Sequence, residues 1–201
     1  AFATAGVAAQ LLFEAIAAQA RKRITEFNAQ NMANTVWAFA TAGVAAQLLF
    51  EAIAAQARNR IAEFNAQNLA NTVWAFATAG VAAQLLFEAI AAQARKRVTE
   101  FNAQDMANTV WAFATAGVAA QLLFEAIAAQ ARRRITDFNA QNMASTVWAF
   151  ATAGVAAQLL FEAIAAQARR RIAEFNAQDM ANTVWAFATA GVAAQLLFEA
   201  I

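Results

Sequence analysis

A block of 37 residues recurs along this chain with few changes. The segment AFATAGVAAQLLFEAIAAQAR begins at Ala1, Ala38, Ala75, Ala112 and Ala149, and a shortened copy begins at Ala186. A fixed period of this length is typical of a solenoid. One such unit cannot bury its own apolar face, so each unit packs against its neighbours. The repeat therefore predicts a function carried by a repeated surface rather than by one unique site.

The chain divides into one array of repeat units and no further domains. The units are 1–27 (partial), 28–64, 65–101, 102–138, 139–175 and 176–201 (partial). The chain starts and stops inside a repeat, and neither end carries the polar cap that is usual for a terminal solenoid unit. We therefore expect a fragment of a longer array, whose targeting segment lies outside these residues.

Composition argues against catalysis. The chain has no cysteine and no histidine, so thiolate ligands and the commonest general base are missing. It contains no phosphate-binding glycine loop and no nucleophile elbow. A carboxylate recurs at the positions of Glu14 and Glu26, with aspartate at Asp137 in one unit, but twelve residues on one helix separate the two positions by about 18 Å. The sequence predicts a protein that is not an enzyme and has no catalytic residue, metal site or cofactor.

Hydrophobic content of 62% raises the question of a membrane span. The longest charge-free window in one interior unit, residues 65–87, contains several amide and hydroxyl side chains and Gly80 near its middle. A spanning helix needs about 20 predominantly apolar residues, and uncompensated amides at membrane depth are costly. The sequence therefore predicts no membrane span.

Each complete unit begins with signals for an amphipathic helix. Asn28 suits the N-cap, and Asn31 stands at N3 in a relative of the capping box. The helix should run to about Ala42, with Gly43 at the C′ position. Its apolar arc is opposed by a polar arc of asparagine, glutamine and threonine.

A second helix should begin near Ala45 and end near Glu63. Small residues let the two helices approach closely, so each unit should form an antiparallel pair. The expected fold is an all-α solenoid with a 37-residue period. The residues predicted to be buried between units are Met32, Val36, Phe39, Phe50, Ile53 and Ile61.

Two positions on the polar arc of the first helix vary between units. The N3 series is Asn31, Asn68, Asp105, Asn142 and Asp179, and the series three residues later is Asn34, Asn71, Asn108, Ser145 and Asn182. Asn and Asp both serve as helix caps, which is one interpretation of the N3 series. The other is that both series face RNA bases, because α-solenoids that read RNA address one base with a few side chains per repeat. Carboxylate, amide and hydroxyl groups differ in their hydrogen bonding and could discriminate bases.

Two further series also have two interpretations. The arginines Arg23, Arg60, Arg97, Arg134 and Arg171 point by helical phase toward the apolar side. They either pair with a glutamate, with their stems across that side, or contact phosphate. The tryptophans, from Trp37 to Trp185, lie at the edge of the apolar arc. They either act as packing wedges or stack on bases, and stacking requires exposed indoles.

The segment FNAQNMANTVWAFATAG, residues 27–43, resembles the core of octotricopeptide and heptatricopeptide repeats. The positions that carry the resemblance are Phe27, Gln30, Met32, Ala33, Asn34, Trp37, Ala38, Ala40 and Gly43, and the match recurs four more times. The resemblance implies RNA binding in chloroplasts or mitochondria, in transcript maturation, stability or translation. Nearly identical units imply either a monotonous RNA sequence or a scaffold.

Two functions therefore stay open. The first is sequence-selective binding of single-stranded RNA along a surface made by the first helices. The second is a structural or scaffolding array that binds protein partners or self-associates end to end through uncapped apolar faces. The two differ in whether the face bearing Asn31 and Asn34 is concave and positively charged.

Overall fold

The computed structural model describes residues 2–44 and 46–192, and their regular structure is entirely helical. The α-helices are α1 (Phe2–Lys22), α2 (Ala29–Thr41), α3 (Gln47–Asn59), α4 (Ala66–Thr78), α5 (Gln84–Lys96), α6 (Ala103–Thr115), α7 (Gln121–Arg133), α8 (Ala140–Thr152), α9 (Gln158–Arg170) and α10 (Ala177–Ala190). The even-numbered helices from α2 to α10 are the first helices of their units, and α3, α5, α7 and α9 are the second helices. The prediction of an all-α solenoid is confirmed.

The first helices begin and end as their sequence signals predict. At the start of α2, the Asn28 side chain accepts a hydrogen bond from the N–H of Asn31 (2.8 Å), and the Asn31 side chain accepts one from the N–H of Asn28 (3.2 Å). After its end, Gly43 has a φ of 65°, which glycine adopts without steric cost. The N–H of Val44 then bonds the carbonyl of Phe39 (3.1 Å), as in a Schellman motif.

The second helices are shorter than predicted. The expectation of one helix from near Ala45 to near Glu63 is wrong: α3 spans Gln47–Asn59, and a separate 3-10 helix spans Ile61–Glu63. Ala45 itself lies outside the described residues. Between the two helices, Arg60 adopts a non-helical conformation (φ −119°, ψ 23°). This turn redirects the chain, so that Phe64 enters the core with no exposed surface.

Four 3-10 helices repeat the geometry of Ile61–Glu63 at equivalent positions. They span Ile24–Glu26, Val98–Glu100, Ile135–Asp137 and Ile172–Glu174. Each connects the end of one unit to the N-cap asparagine of the next. Helix α1 differs from the later helices because it continues through Gly6, where the later units turn.

One hydrophobic core runs the length of the array. Five of the six predicted core residues are buried, with exposed fractions between 0 and 2% (Met32, Val36, Phe39, Phe50 and Ile53). Phenylalanines from first and second helices pack edge to face, as in the Phe87–Phe113 pair with ring centroids 5.0 Å apart. The sixth prediction is wrong, because Ile61 is only half-buried. It belongs to the 3-10 turn, which changes its direction relative to a continuous helix.

The two kinds of helix form two layers. The first helices pack on one another along their length, whereas consecutive second helices are separated by open grooves. Four grooves of about 280 to 330 Å3 are described, one between α1 and α3 and three between consecutive second helices. In the groove between α3 and α5, Phe76 of the first-helix layer forms part of the lining. The first-helix layer is therefore the closely packed side and the second-helix layer the open side.

The charge-free window over residues 65–87 belongs to two helices. Helix α4 ends at Thr78, Gly80 turns the chain with a φ of 65°, and α5 begins at Gln84. Among the described residues, no helix combines the length and the apolar character needed to cross a bilayer.

Candidate nucleic-acid interface

A row of four side chains lies on the free surface of each first helix. In α4 these are Gln67, Asn71, Trp74 and Thr78, whose spacing of four, three and four residues keeps them on one face of a helix. Gln67 and Thr78 are exposed, and Asn71 and Trp74 are half-buried. We call this row, repeated on α2, α4, α6, α8 and α10, the inner stripe. Its other members are Gln30, Asn34, Trp37, Thr41, Gln104, Asn108, Trp111, Thr115, Gln141, Ser145, Trp148, Thr152, Gln178, Asn182, Trp185 and Thr189.

The tryptophans of the inner stripe form a ladder. Ring centroids are 6.4 Å apart in the pairs Trp37–Trp74, Trp74–Trp111 and Trp148–Trp185, with interplanar angles of 33 to 34°. Packed helix axes are usually about 8 to 10 Å apart. The equivalent tryptophans of consecutive units are closer together than this usual axis spacing. This indicates that the inner stripe lies on the concave side of a curved array. The open grooves between second helices on the opposite side agree with a concave first-helix surface.

The ladder is more exposed than a packing wedge would be. Trp37 and Trp185 have 46% of their surface exposed, and the three tryptophans between them are half-buried. The exposure that the base-stacking interpretation of this series requires is therefore present. The phenylalanines, from Phe50 to Phe187, supply the buried aromatic core instead.

The inner stripe presents hydrogen-bonding groups and no charge. All its polar members are amides or hydroxyls, and Gln178 donates to Asn182 (2.8 Å) along it. Amides both donate and accept, so they can pair with the edge of any base. Within residues 2–44 and 46–192, no group of three or more acidic side chains is placed to hold a metal ion.

The two predicted base-facing series occupy different places. The series of Asn34, Asn71, Asn108, Ser145 and Asn182 lies on the inner stripe. The N3 series lies on the flank that packs against the preceding first helix, where Asn68, Asp105, Asn142 and Asp179 are only 6 to 8% exposed. Each N3 side chain also accepts a hydrogen bond from the N–H of its N-cap residue. The structure thus shows the capping role for this series and leaves little of these four side chains free for a base, whereas Asn31 of the first complete unit is exposed.

Burial shifts the pKa of the Asp105 carboxyl. Desolvation raises the pKa of its carboxyl, and the hydrogen bond from the Asn102 backbone opposes this in part. A folded-state pKa above the unfolded one means that the folded protein binds more protons, so the free energy of unfolding falls as pH rises through that window. The window starts near the ordinary aspartate value of about 3.9.

We expect Asp105→Asn to remove this loss of stability. The difference in melting temperature between variant and parent should grow in favour of the variant as pH rises above about 4, and should then become constant. Thermal unfolding from pH 3 to pH 8 measures it. The control is Ser145→Asn, which changes no titratable group and should leave the pH dependence of the parent unchanged. A difference that does not change with pH would contradict the prediction.

The arginine series connects consecutive units. Arg97 donates through Nη1 to the backbone carbonyl of Phe64 in the preceding unit (2.6 Å), and through Nε and Nη2 to Glu100. Arg60, Arg134 and Arg171 make the same bond to Phe27, Phe101 and Phe138, at 2.7 to 2.8 Å. Hydrogen bonding to Arg97 holds the pKa of the Glu100 carboxyl below its usual range. The predicted pairing with a glutamate is confirmed, and the phosphate contact stays a prediction.

Other cations lie on the second-helix layer. Nine of them are exposed and form no ion pair within the described part of the chain: Arg21, Lys22, Arg58, Arg95, Lys96, Arg132, Arg133, Arg169 and Arg170. They occupy the last turns of α1 and the second helices. Positive charge is thus available for phosphate, but on a different part of the array from the inner stripe.

Two series of the inner stripe have no binding role predicted from the sequence. For the glutamine series from Gln30 and the threonine series from Thr41, the sequence predicts only a place on the polar arc. The signal that could have identified them is their spacing from Trp37, because positions seven before and four after it share its side of the helix. The two series extend the uncharged surface to both ends of each first helix.

A known protein family matches this chain along its whole length. The match covers residues 1–201 and is to the family of RNA-editing substrate-binding complex 6 proteins. The chain belongs to this family. A comparison with curated proteins found no match. Family membership connects the array to an RNA-related role, and it does not identify the repeats as specifically octotricopeptide or heptatricopeptide units.

Proposed function

We propose that this array binds single-stranded RNA sequence-selectively along the inner stripe, as part of an RNA-editing substrate-binding complex. The observation that carries the proposal is the stripe itself: an uncharged row of amides and partly exposed indoles on every first helix. Membership of the RNA-editing substrate-binding complex 6 family supports an RNA ligand. The role would lie in organellar transcript maturation, stability or translation, and the resemblance to octotricopeptide repeats supports that role.

The chemistry of the stripe favours single strands over duplexes. Sequence-specific recognition of RNA targets unpaired bases, which stack on aromatic side chains and expose their edges to hydrogen bonding. Asn71 and Trp74 lie one helical turn apart on α4, so an indole and an amide are adjacent in each unit. One base per unit is the register that this repeat suggests. Nearly identical units would then select a monotonous RNA sequence.

The residues that would set specificity are the two variable series. Per unit they form the pairs Asn31/Asn34, Asn68/Asn71, Asp105/Asn108, Asn142/Ser145 and Asp179/Asn182. Of each pair, the second residue lies on the stripe and is the better placed to contact a base. The N3 residue can contact a base only if RNA binding separates the first helices that bury it. The units with Asp105/Asn108 and Asp179/Asn182 should share a preference. The units with Asn31/Asn34 and Asn68/Asn71 should share another, and the unit with Asn142/Ser145 should be more tolerant.

A selection from randomised RNA tests these assignments. The proteins are the parent, the double variant Asp105→Asn with Asp179→Asn, and Ser145→Asn as the stripe variant. We expect the parent to enrich one motif and Ser145→Asn to sharpen the position read by the unit that contains this residue. A bidentate base contact contributes about 1 to 3 kcal/mol of discrimination, by analogy with DNA base edges.

The double variant separates the two roles of the N3 series. A change of base preference at two positions separated by one base would support base contact by the N3 residues. If the double variant instead selects the same motif as the parent, helix capping is their role. No enrichment by any folded protein at low salt would contradict RNA binding altogether.

We propose the mitochondrion as the compartment. The resemblance implies a chloroplast or a mitochondrion, and membership of a family from an RNA-editing complex favours the mitochondrion. Fractionation of the native source would test this proposal.

A second candidate function is a scaffold that binds protein. The observation that favours it is a row of exposed leucines beside the grooves of the second-helix layer, 56 to 59% exposed at Leu48, Leu85, Leu122 and Leu159. Each leucine belongs to the lining of a groove, and contiguous exposed apolar surface marks protein-binding sites. This function becomes the leading one if the RNA selection fails.

A further inference from the structure

We propose that the spaces between successive indoles of the inner stripe are stacking sites, each taking one unpaired RNA base. The inference rests on the proposed function and assigns the ligand chemistry of its central residues. The bound group is a planar base of any identity, and selectivity comes from the amides beside it. The RNA strand would then alternate base and indole along the first-helix surface.

The spacing of the ladder is close to that needed for an inserted ring. Stacked aromatic rings lie about 3.4 Å apart, as the rise per base in a nucleic-acid strand shows. A ring between two indoles therefore requires about twice this distance. The indoles of Trp74 and Trp111 have centroids 6.4 Å apart and planes inclined by 33°. Insertion of a base therefore requires the two indoles to turn toward parallel planes and to separate slightly.

The exposure of the ladder also points to a ligand. The chain has seventeen phenylalanines and five tryptophans. The phenylalanines from Phe50 to Phe187 that fill the core are at most 5% exposed. The tryptophans alone among these large aromatic residues stand on the free surface of the first helices. Base–aromatic stacking accepts every base, because each base has a π-face. It would bury the indole surface that the free array leaves in water.

The amides complete each site. Asn71 precedes Trp74 by three residues and Asn108 precedes Trp111 by three, so each amide lies beside its own indole along the stripe. A base held between two rings presents its edge to these amides. Stacking would provide affinity that does not depend on sequence, and the amide would provide selectivity.

An advance of one base per 6.4 Å also separates neighbouring bases, so paired strands cannot occupy these sites. A duplex of the same length should therefore not compete for them.

Tryptophan fluorescence tests the proposal directly. With five tryptophans and no tyrosine, emission reports the ladder alone. The parent is titrated with single-stranded adenosine, cytidine and uridine homopolymers, and with an adenosine–uridine duplex. We expect quenching by at least one single strand and none by the duplex. Trp111→Leu, which keeps bulk but removes the ring system, should raise the Kd by about 5- to 150-fold, the range that corresponds to one stacked base.

Two further variants separate stacking from structure. Trp111→Phe keeps an aromatic ring and should recover most of the affinity. Leu122→Gln alters an exposed residue of the second-helix layer and should leave the Kd unchanged. Circular dichroism of each variant establishes that it is folded.

The outcomes separate this inference from the proposed function. Binding with unchanged fluorescence, or an unchanged Kd for Trp111→Leu, would overturn the stacking sites while RNA binding stands. Loss of affinity that Trp111→Phe does not recover would also overturn them, since the role would then be packing. If the folded parent binds no RNA, the proposed function fails and this inference fails with it.

Discussion

Replacing Phe113 with alanine should lower the free energy of unfolding by about 3 to 5 kcal/mol. Phe113 is 1% exposed and packs edge to face on Phe87, joining the first helix α6 to the second helix α5. Alanine would remove the buried ring and leave a cavity between the two layers, and close-packed neighbours relax only partly into such a space. Each unit is stabilised mainly by its neighbours, so the loss should extend to the adjacent units.

Denaturant unfolding of the two proteins measures this difference. The control is Leu122→Ala in the same stretch of the array, at a side chain that is 59% exposed. We expect that change to stay within about 0.5 kcal/mol, as is usual for surface substitutions. Equal effects from the two variants would mean that the core does not lie between the helix layers as described.

The boundaries of the first helices could be predicted because their determinants are local. Asn28 caps through its own side chain, and Gly43 adopts a conformation that few other residues tolerate. These signals lie within a few residues of the boundary they set. The same is true of the apolar spacing that predicted the burial of Met32, Val36 and Phe39.

The end of the second helix could not be predicted in this way. No glycine or proline marks the turn at Arg60. The Arg60 side chain donates hydrogen bonds to two partners. One is Glu63, three residues later, and the other is the carbonyl of Phe27, 33 residues earlier. A sequence pattern read within one unit contains the first contact and not the second. The half-buried position of Ile61 follows from the same turn.

The site was only partly predictable, for a related reason. Helical phase separates apolar from polar arcs, but it does not show which polar side chains the neighbouring unit covers. Thr72 and Asn68 belong to the polar arc, yet they are 0% and 7% exposed between first helices. Asn71, in the same arc, reaches the inner stripe. The difference arises from stacking of units and is absent from the pattern of a single unit.

The arginine contacts give the second prediction. Arg97→Ala should lower the free energy of unfolding by about 1.5 to 3 kcal/mol, the usual contribution of a hydrogen bond to a charged group. The bond at stake is the one from Arg97 Nη1 to the Phe64 carbonyl, which joins consecutive units. The ion pair with Glu100 should add little, because the glutamate side chain is 49% exposed and exposed pairs contribute about 0 to 1 kcal/mol.

Arg23→Ala is the matched control for stability. Arg23 bonds to Glu26 as Arg97 does to Glu100, but among the described residues it makes no bond to the carbonyl of another unit. Its replacement should change the free energy of unfolding by less than about 1 kcal/mol. Arg97→Lys should behave nearly as Arg97→Ala, since an ammonium cannot reproduce the forked geometry that reaches both partners. Equal losses from Arg23→Ala and Arg97→Ala would show that the bond between units contributes nothing.

The same variants decide between the two interpretations of the arginine series. If Arg97 neutralises a phosphate, its removal should reduce the slope of log K against log salt by about 0.7, the value for one contact on a single strand. If it only joins units, the slope should stay the same while stability falls. We expect the second result, because the guanidinium already bonds two partners and the inner stripe carries no charge. A reduced slope at unchanged stability would instead assign phosphate binding to this arginine.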